Sequence, residues 1–461
     1  MAGYKQDTIA AVATPLGTGG VGIVRMSGPA CRQMADKIFV SARPSFPGIK
    51  PYRLHHGWIR NKAGRTLDEV LLAFMPGPGS YTGEDVLEIN CHGGPAVLQA
   101  VLKLCLGSGA RAAEPGEFTK RAFLNGRLDL SQAEAVSEAI NARTSSSLTF
   151  AQNKLSGALR SRVRELRSEL EELSRQFCLA VDFPDEDVQC APRDELADRI
   201  RIALKKIDEL VDNSERGSVW RNGAVVAMAG QVNAGKSSLL NCILGRERSI
   251  VTAIAGTTRD YIEEEVNIRG LPVRLVDTAG LRRTEDAVEQ AGVDRCRELL
   301  VGADLILVVV DGVRGPDRED ADILFAYKDK KVLVVANKSD LPGFREPESY
   351  PLGCGPEKTV SVSAKTGEGV DRLLNDIREL VLGNRPEPDP NALIPNARQK
   401  HSLEQASREL EMLLADLHKE VPFDLLGVRL DYASESLAEI TGEIVSEDIL
   451  NSIFDRFCIG K

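Results

Sequence analysis

Residues 230–237 read Gly230-Gln231-Val232-Asn233-Ala234-Gly235-Lys236-Ser237, and they satisfy G-x-x-x-x-G-K-[ST] at every fixed position. An apolar run, Ala224 to Ala229, enters this loop as a buried strand would. Ser238-Leu239-Leu240-Asn241 leaves it as a helix would. Glycines in such a loop let backbone N–H groups curl around phosphate oxygens. Lys236 brings a point charge to the outer phosphates, and the Ser237 hydroxyl is placed to bind Mg²⁺. The stretch therefore predicts a nucleotide held by Asn233, Ala234, Gly235, Lys236, Ser237 and Ser238, with Lys236 also serving catalysis.

Downstream motifs select the nucleotide. Val273 to Val276 predicts a strand ending in Asp277-Thr278-Ala279-Gly280, where a carboxylate can hold Mg²⁺ through water and the Gly280 N–H can meet the terminal phosphate. Val332 to Ala336 predicts another strand, ending in Asn337-Lys338-Ser339-Asp340. An aspartate in N-K-x-D accepts two N–H donors from a guanine edge. Adenine lacks that pair and would strand the carboxylate, so ATP is rejected. Ser363-Ala364-Lys365 completes the base pocket, and Gly256-Thr257-Thr258 offers Thr258 as a second Mg²⁺ ligand. Each string is short, but five in this order predict GTP binding.

One expected part is missing. Many small GTPases place a water-orienting glutamine after D-x-x-G; here that residue is Leu281. The following loop carries Glu285, Asp286 and Glu289, any of which could serve, and spacing does not choose among them.

The chain has 461 residues, 43% of them hydrophobic, which implies two to four domains with ample core. A net charge of −10 means that any RNA contact must use a local basic patch. Nine cysteines, an odd number without a C-x-x-C pair, fit a reduced cytosol better than a disulfide framework. The first residues lack the layout of a signal peptide, and no apolar run approaches membrane-spanning length, so a cytoplasmic protein without a membrane partner is expected.

Patterning divides the chain into multidomain α+β and α/β parts. Residues 1–118 mix short β-like runs (Thr8 to Ala13, Gly22 to Met26, Glu69 to Phe74, Asp85 to Asn90) with a helix near Ala96 to Leu106. Residues 119–217 turn helical. Leu155, Leu159, Val163, Leu166, Leu170, Leu173 and Phe177 predict one long amphipathic helix. Residues 218–382 alternate strand and helix. Gly383 to Pro390 reads as a stiff Pro-rich linker, after which residues 383–461 return to helical periodicity through Leu403, Leu410, Leu413, Leu414 and Leu417. The simplest architecture inserts a Ras-like P-loop GTPase domain into a helical-bundle domain.

Beyond the GTPase motifs, the blocks GGVGIVRMSGP, YTGEDVLEINCHGGP and EPGEFTKRAFLNGRLDLSQAEA and the terminal FCIGK resemble the tRNA-modifying GTPase family known as MnmE or TrmE, over the whole length. The terminal Cys458-Ile459-Gly460-Lys461 is the most specific of these. The resemblance implies a K⁺ ion beside the phosphates, held by Asn233 and by the loop Thr252-Ala253-Ile254-Ala255-Gly256-Thr257, with Thr252, Ile254 and Thr257 as ligands. It also assigns water orientation to Glu289, within Val288-Glu289-Gln290-Ala291-Gly292.

The same resemblance implies that the N-terminal α+β domain binds a tetrahydrofolate derivative (5-formyl or methylene) and forms a homodimer. Arg25, Glu88, Arg127 and Lys461 match the folate positions, although the family often shows Lys where Arg127 stands, which alters donor geometry. Cys458 matches a cysteine discussed as catalytic; a lone cysteine more often packs. The implied reaction adds a carboxymethylaminomethyl or aminomethyl group to carbon 5 of the wobble uridine of certain tRNAs. It would proceed with an MnmG/GidA-type partner carrying FAD and NADH, in a heterotetramer or larger complex.

Competing readings are a ribosome-assembly GTPase switch, which would carry an RNA-binding appendage such as a GXXG clamp, and a folate enzyme with a regulatory GTPase. Gly17 to Gly22 imitates G-x-G-x-x-G, but Ile23-Val24-Arg25-Met26 follows as a strand, which argues against a dinucleotide loop. His55, His56 and His92 lack metal-ligand spacing, and Cys91 reads as packing.

Overall fold

The computed structural model describes residues 7–15, 17–182, 191–247, 262–277, 289–346, 358–383, 387–419 and 421–461. The chain divides into two compact units. One comprises Met1–Ser137, Lys154–Leu204 and Ser402–Lys461; the other comprises Glu138–Asn153 and Lys205–His401.

Among the described residues the first unit contains seven strands: β1 (Ile9–Val12), β2 (Gly19–Ser27), β3 (Phe39–Ser41), β4 (Leu54–Arg60), β5 (Thr66–Met75), β6 (Val86–Gly93) and β7 (Arg111–Ala112). Their order is β3-β4-β5-β6-β2-β1-β7, antiparallel except for the parallel β1–β7 pair. Alternation along β5 sends Val70, Leu72 and Phe74 inward while Leu71 faces out, as a half-buried strand requires. Those residues pack with Leu98, Val101 and Cys105 of helix Pro95–Gly107. The expected runs Gly22 to Met26 and Glu69 to Phe74 and the expected helix fall within observed elements, whereas Thr8 to Ala13 and Asp85 to Asn90 overlap β1 and β6 and overrun them by a residue at one or both ends. The short helix Cys31–Ile38 and strands β3, β4 and β7 were not anticipated.

The predicted long helix needs a correction. Leu155 ends helix Ser145–Leu155, and a new helix, Ala158–Asp182, carries the rest of the stripe. Gly157 takes φ +86°, a left-handed conformation that interrupts the helical ladder. Leu159, Val163, Leu166, Leu170, Leu173 and Phe177 are each at most 1% exposed. They face helix Phe423–Thr441, and the Phe177 and Phe423 rings lie 5.1 Å apart. Leu403, Leu410, Leu413 and Leu417 are buried along helix Ala397–His418.

The second unit holds β8 (Ala224–Ala229), β9 (Ile262–Ile268), β10 (Leu271–Asp277), β11 (Leu305–Asp311), β12 (Val332–Asn337) and β13 (Lys358–Ser361). Their order is β13-β12-β11-β8-β10-β9, parallel apart from β9. β11 and β12 are buried at every position, as strands covered on both faces must be. The unit extends beyond the 218–382 expected for it. Phe150, Trp220 and Ile394 join the core formed by Val226, Leu239, Val266 and Leu271, and the Ser147 hydroxyl donates to the Trp220 carbonyl at 2.6 Å. Residues before and after the GTPase motifs thus complete its hydrophobic core. Among the described residues, no helix is long and apolar enough to cross a membrane.

Candidate functional site

In a parallel sheet, ligands gather at the carboxyl ends of the strands. There β8 runs into the phosphate loop, β10 ends at Asp277 and β12 ends at Asn337. Helix Lys236–Glu247 starts inside the loop, so its free N–H groups and dipole face the same place. Lys236 is buried, and its ammonium donates to the carbonyls of Gly230 at 2.7 Å and Gln231 at 2.8 Å, which aims it across the loop mouth. Ser237 donates to Asp277 at 3.0 Å, and Asp277 is only 1% exposed. A hydroxyl beside a sequestered carboxylate is an oxygen-donor pair of the kind Mg²⁺ takes. Asn233 stands exposed at the crest of the loop with φ +69°, a region asparagine tolerates better than most residues.

Asn337 joins three loops. Its Nδ2 donates to the Ala234 carbonyl at 2.9 Å. Its Oδ1 accepts from the N–H groups of Lys338 at 2.8 Å and Ala364 at 3.0 Å. The phosphate loop, the N-K-x-D turn and the Ser363-Ala364-Lys365 turn are therefore tied through one side chain. Gly235 makes the approach possible, since a Cβ there would lie 2.3 Å from the Asn337 Nδ2. Asp340 is exposed, and the buried Ser363 hydroxyl orients its carboxylate by donating at 2.7 Å.

Three supporting residues lie outside the sequence motifs. Asp311, at the end of β11, pairs with the Lys338 ammonium at 2.6 Å. Burial pushes its carboxyl up, but Lys338 and the N–H groups of Arg314 and Val313 outweigh this and hold it below the ordinary aspartate value. Arg246 donates to the Gly367 carbonyl at 2.9 Å behind the base loop. Asp320 binds Gln231 of the phosphate loop. Of the three, only Asp320 carried a local signal, the capping pattern Asp317-x-x-Asp320.

Several sequence-assigned residues lie outside the described part: Thr252, Ala253, Ile254, Ala255, Gly256, Thr257, Thr258, Thr278, Ala279 and Gly280. Glu289 is the first residue of helix Glu289–Gly302, but its side chain is likewise outside it.

A second constellation sits in the first unit. Arg25 on β2 is in register with Glu88 on β6, and the two pair at 2.8 Å. The Arg25 guanidinium lies 5.7 Å from the Tyr81 ring centroid and 5.8 Å from that of Phe118. It also donates to the Gly460 carbonyl at 3.3 Å. The tail reaches this place through an apolar anchor, Phe457, which is 7% exposed and packs on Phe454 at 5.3 Å. The Gly116 N–H donates to the Cys458 carbonyl at 3.4 Å and the Phe118 N–H to the Lys461 oxygen at 3.1 Å. Gly460 has φ +93°, and a Cβ there would lie 2.2 Å from the Val12 carbonyl oxygen.

Burial, then Arg25, lower the proton affinity of the half-buried Lys461 ammonium, with Glu88 and Cys458 opposing. Burial raises the Tyr81 phenol, while the Thr119 hydrogen bond at 2.9 Å and the charges of Arg25 and Arg127 oppose it. The structure thus gathers Arg25, Glu88 and Lys461, with exposed Arg127 in electrostatic reach of Tyr81 and exposed Cys458 beside the turn at Gly116. Cys91 packs in the β-domain core, where burial pushes its thiol up to about 12. His92 pairs with Asp68 at 2.7 Å.

A family profile described as "MnmE helical domain" matches residues 130–458, and one described as "GTP-binding protein TrmE N-terminus" matches residues 8–127. A "tRNA modification GTPase MnmE" of Nitratidesulfovibrio vulgaris (strain DP4) is 49% identical over 99% of this chain and 99% of its own length. One of the same description from Acetivibrio thermocellus is 42% identical over 99% of this chain and all of its own length. Among solved structures, Aquifex aeolicus Era bound to GDP and aluminium fluoride is 28% identical over 41% of this chain and 67% of that one, with a TM-score of 0.28.

Proposed function

The chain belongs to the tRNA modification GTPase family MnmE, and from that premise we propose a K⁺-activated GTP hydrolase that modifies carbon 5 of a tRNA wobble uridine. A tetrahydrofolate derivative donates the one-carbon unit. A flavin-dependent partner of the MnmG/GidA type supplies FAD and NADH. The protein works as a homodimer in the cytoplasm, and the group added is carboxymethylaminomethyl or aminomethyl. The observation that carries this reading is the convergence of Arg25, Glu88 and the tail residues Gly460 and Lys461. It brings a guanidinium, a carboxylate and an ammonium, flanked by Tyr81 and Phe118, to one place. Such a set can pair with a folate's carboxylates, hydrogen-bond its pterin edge and stack on its ring.

In the GTPase unit each residue has a physical task. The phosphate-loop N–H groups and Lys236 bind the phosphates, and Ser237, Asp277 and Thr258 serve Mg²⁺ directly or through water. Asp340, steadied by Ser363, selects guanine. Glu289 orients the attacking water in place of the glutamine absent at Leu281. Asn233 with Thr252, Ile254 and Thr257 holds K⁺, which when bound neutralises charge between the β- and γ-phosphates.

Mass spectrometry of wobble uridine from cells lacking this protein tests the modification, and loss of the carbon-5 substituent is expected. A full complement of modified uridine would overturn the reading. Calorimetric titration with 5-formyltetrahydrofolate tests the folate assignment separately; Arg25→Ala should abolish binding without altering GTP affinity.

A further inference from the structure

We propose that Asp320 is a positioning residue for nucleotide binding, acting through Gln231, the second residue of the phosphate loop. Asp320 lies in the first turn of helix Arg318–Ala326, outside every GTPase motif, and is completely buried. Three N–H donors converge on its carboxylate. The Gln231 backbone donates to Oδ1 at 3.2 Å. The Gln231 side-chain amide donates to Oδ2 at 3.1 Å, and the Asp317 backbone donates to Oδ2 at 3.2 Å. The Gln231 amide also donates to the Gly315 carbonyl at 3.3 Å. Only an acceptor-only group satisfies this arrangement. An asparagine would turn an NH₂ toward N–H groups and strand a buried donor.

The link ends at the phosphates. The Gln231 N–H shares its peptide group with the Gly230 carbonyl, one of the two oxygens on which the Lys236 ammonium rests, at 2.7 Å; the Gln231 carbonyl is the other, at 2.8 Å. Asp320 therefore fixes the peptide that aims Lys236, at the point where the chain turns out of β8. The carboxylate is a cost to the fold: burial raises its pKa above the ordinary aspartate value, and the Asp317 charge adds to this against the hydrogen bonds.

Helix capping is the competing explanation, because Asp317 and Asp320 form a reciprocal capping box. Three variants separate the two. Asp317→Ala removes the cap acceptor used by the Asp320 N–H at 3.0 Å but leaves the Asp320 carboxylate on Gln231. It should lower the melting temperature and leave nucleotide affinity unchanged. Asp320→Asn should weaken GTP and GDP binding about tenfold to a hundredfold, the scale of a lost charge-assisted hydrogen bond. Gln231→Ala keeps the capping box and removes two side-chain bonds to the link, so it should weaken both nucleotides several-fold with little change in melting.

The experiment is titration of the full chain with fluorescent GTP and GDP analogues at fixed Mg²⁺ and K⁺, alongside thermal melting of each variant. Non-additivity of Asp320→Asn with Gln231→Ala is the expected mark of one shared contact. Two results overturn the proposal: Asp317→Ala weakening nucleotide as much as Asp320→Asn, or Gln231→Ala binding both nucleotides within about twofold of the unchanged protein. The Gln231 result decides the matter even if Asp320→Asn fails to fold.

Discussion

Replacing Asn337 by alanine tests the idea that one side chain sets the spacing of three nucleotide-binding loops. The residue is 2% exposed and makes three hydrogen bonds, one to each of the Ala234 carbonyl and the Lys338 and Ala364 N–H groups. Alanine leaves all three partners unpaired. The bond to Ala234 is buried and should cost about 1–3 kcal/mol as an unsatisfied group. The other two are partly buried, so water can replace some of the loss, and about 1 kcal/mol each is the fitting scale.

The sum is about 3–5 kcal/mol, divided between fold stability and nucleotide binding, because the same side chain both packs in the fold and ties the phosphate loop to the other two. If half falls on binding, GTP affinity drops by about tenfold to a hundredfold. Asn337→Asp is the sharper variant. It keeps both acceptor bonds but sets an oxygen against the Ala234 carbonyl, so its whole effect lies on the link to the phosphate loop. Stopped-flow titration with a fluorescent GDP analogue, paired with urea denaturation, reads both shares. An Asn337→Ala protein that binds GDP within about threefold of the unchanged protein would refute the reasoning.

Four further outcomes are expected. Replacing K⁺ by Na⁺ should lower kcat for GTP by up to about 10³-fold, and Asn233→Ala should be slow in both salts; equal rates in the two salts would remove K⁺ from the mechanism. Glu289→Ala should reduce kcat by roughly 10²–10⁴-fold with GTP affinity nearly unchanged, and a normal rate in single-turnover assays would return Glu289 to ordinary surface charge. Gly460→Ala forces a Cβ to within 2.2 Å of the Val12 carbonyl oxygen at φ +93°. That strain outweighs the single hydrogen bond from Arg25, so folate affinity measured by calorimetry should fall about tenfold while GTP turnover stays constant. Asp311→Asn should destabilise most near neutral pH: a folded pKa below the ordinary 3.8 gives stability that is present above that value and lost as pH falls through the folded one. The difference between the two urea midpoints should therefore shrink on acidification, and a constant difference would contradict the Lys338 pairing.

The sequence by itself determined that the chain is a GTPase and which strand ends carry its motifs, because each motif is local. Gly230 to Ser237, Asp277, Asn337 to Asp340 and Ser363 to Lys365 each occupy one strand end, and a few adjacent residues suffice to specify a turn that meets phosphate or base. Strands such as Ala224–Ala229 were legible for the same reason, since an unbroken apolar run between turn residues admits few other readings. The leucine stripe of 159–177 was legible too, but the break at Gly157 was not, because a single glycine does not disturb the period of the residues around it.

Other features were settled only by tertiary structure. Arg25 and Gly460 are 435 positions apart, and the hydrogen bond between them depends on β2, β6 and the terminal helix Glu447–Phe454 being folded at once. The family likeness could point to those residues, but spacing could not place them together. Asp320 is 89 positions from Gln231 and belongs to no motif, so its contact with the phosphate loop has no trace in the chain's own pattern. Phe150 and Ile394 likewise fall in the segments read as helical domain, outside 218–382, and only packing draws them into the GTPase core. Local propensity and short motifs act over a few residues, whereas burial and long-range hydrogen bonds are chosen only when the whole unit closes.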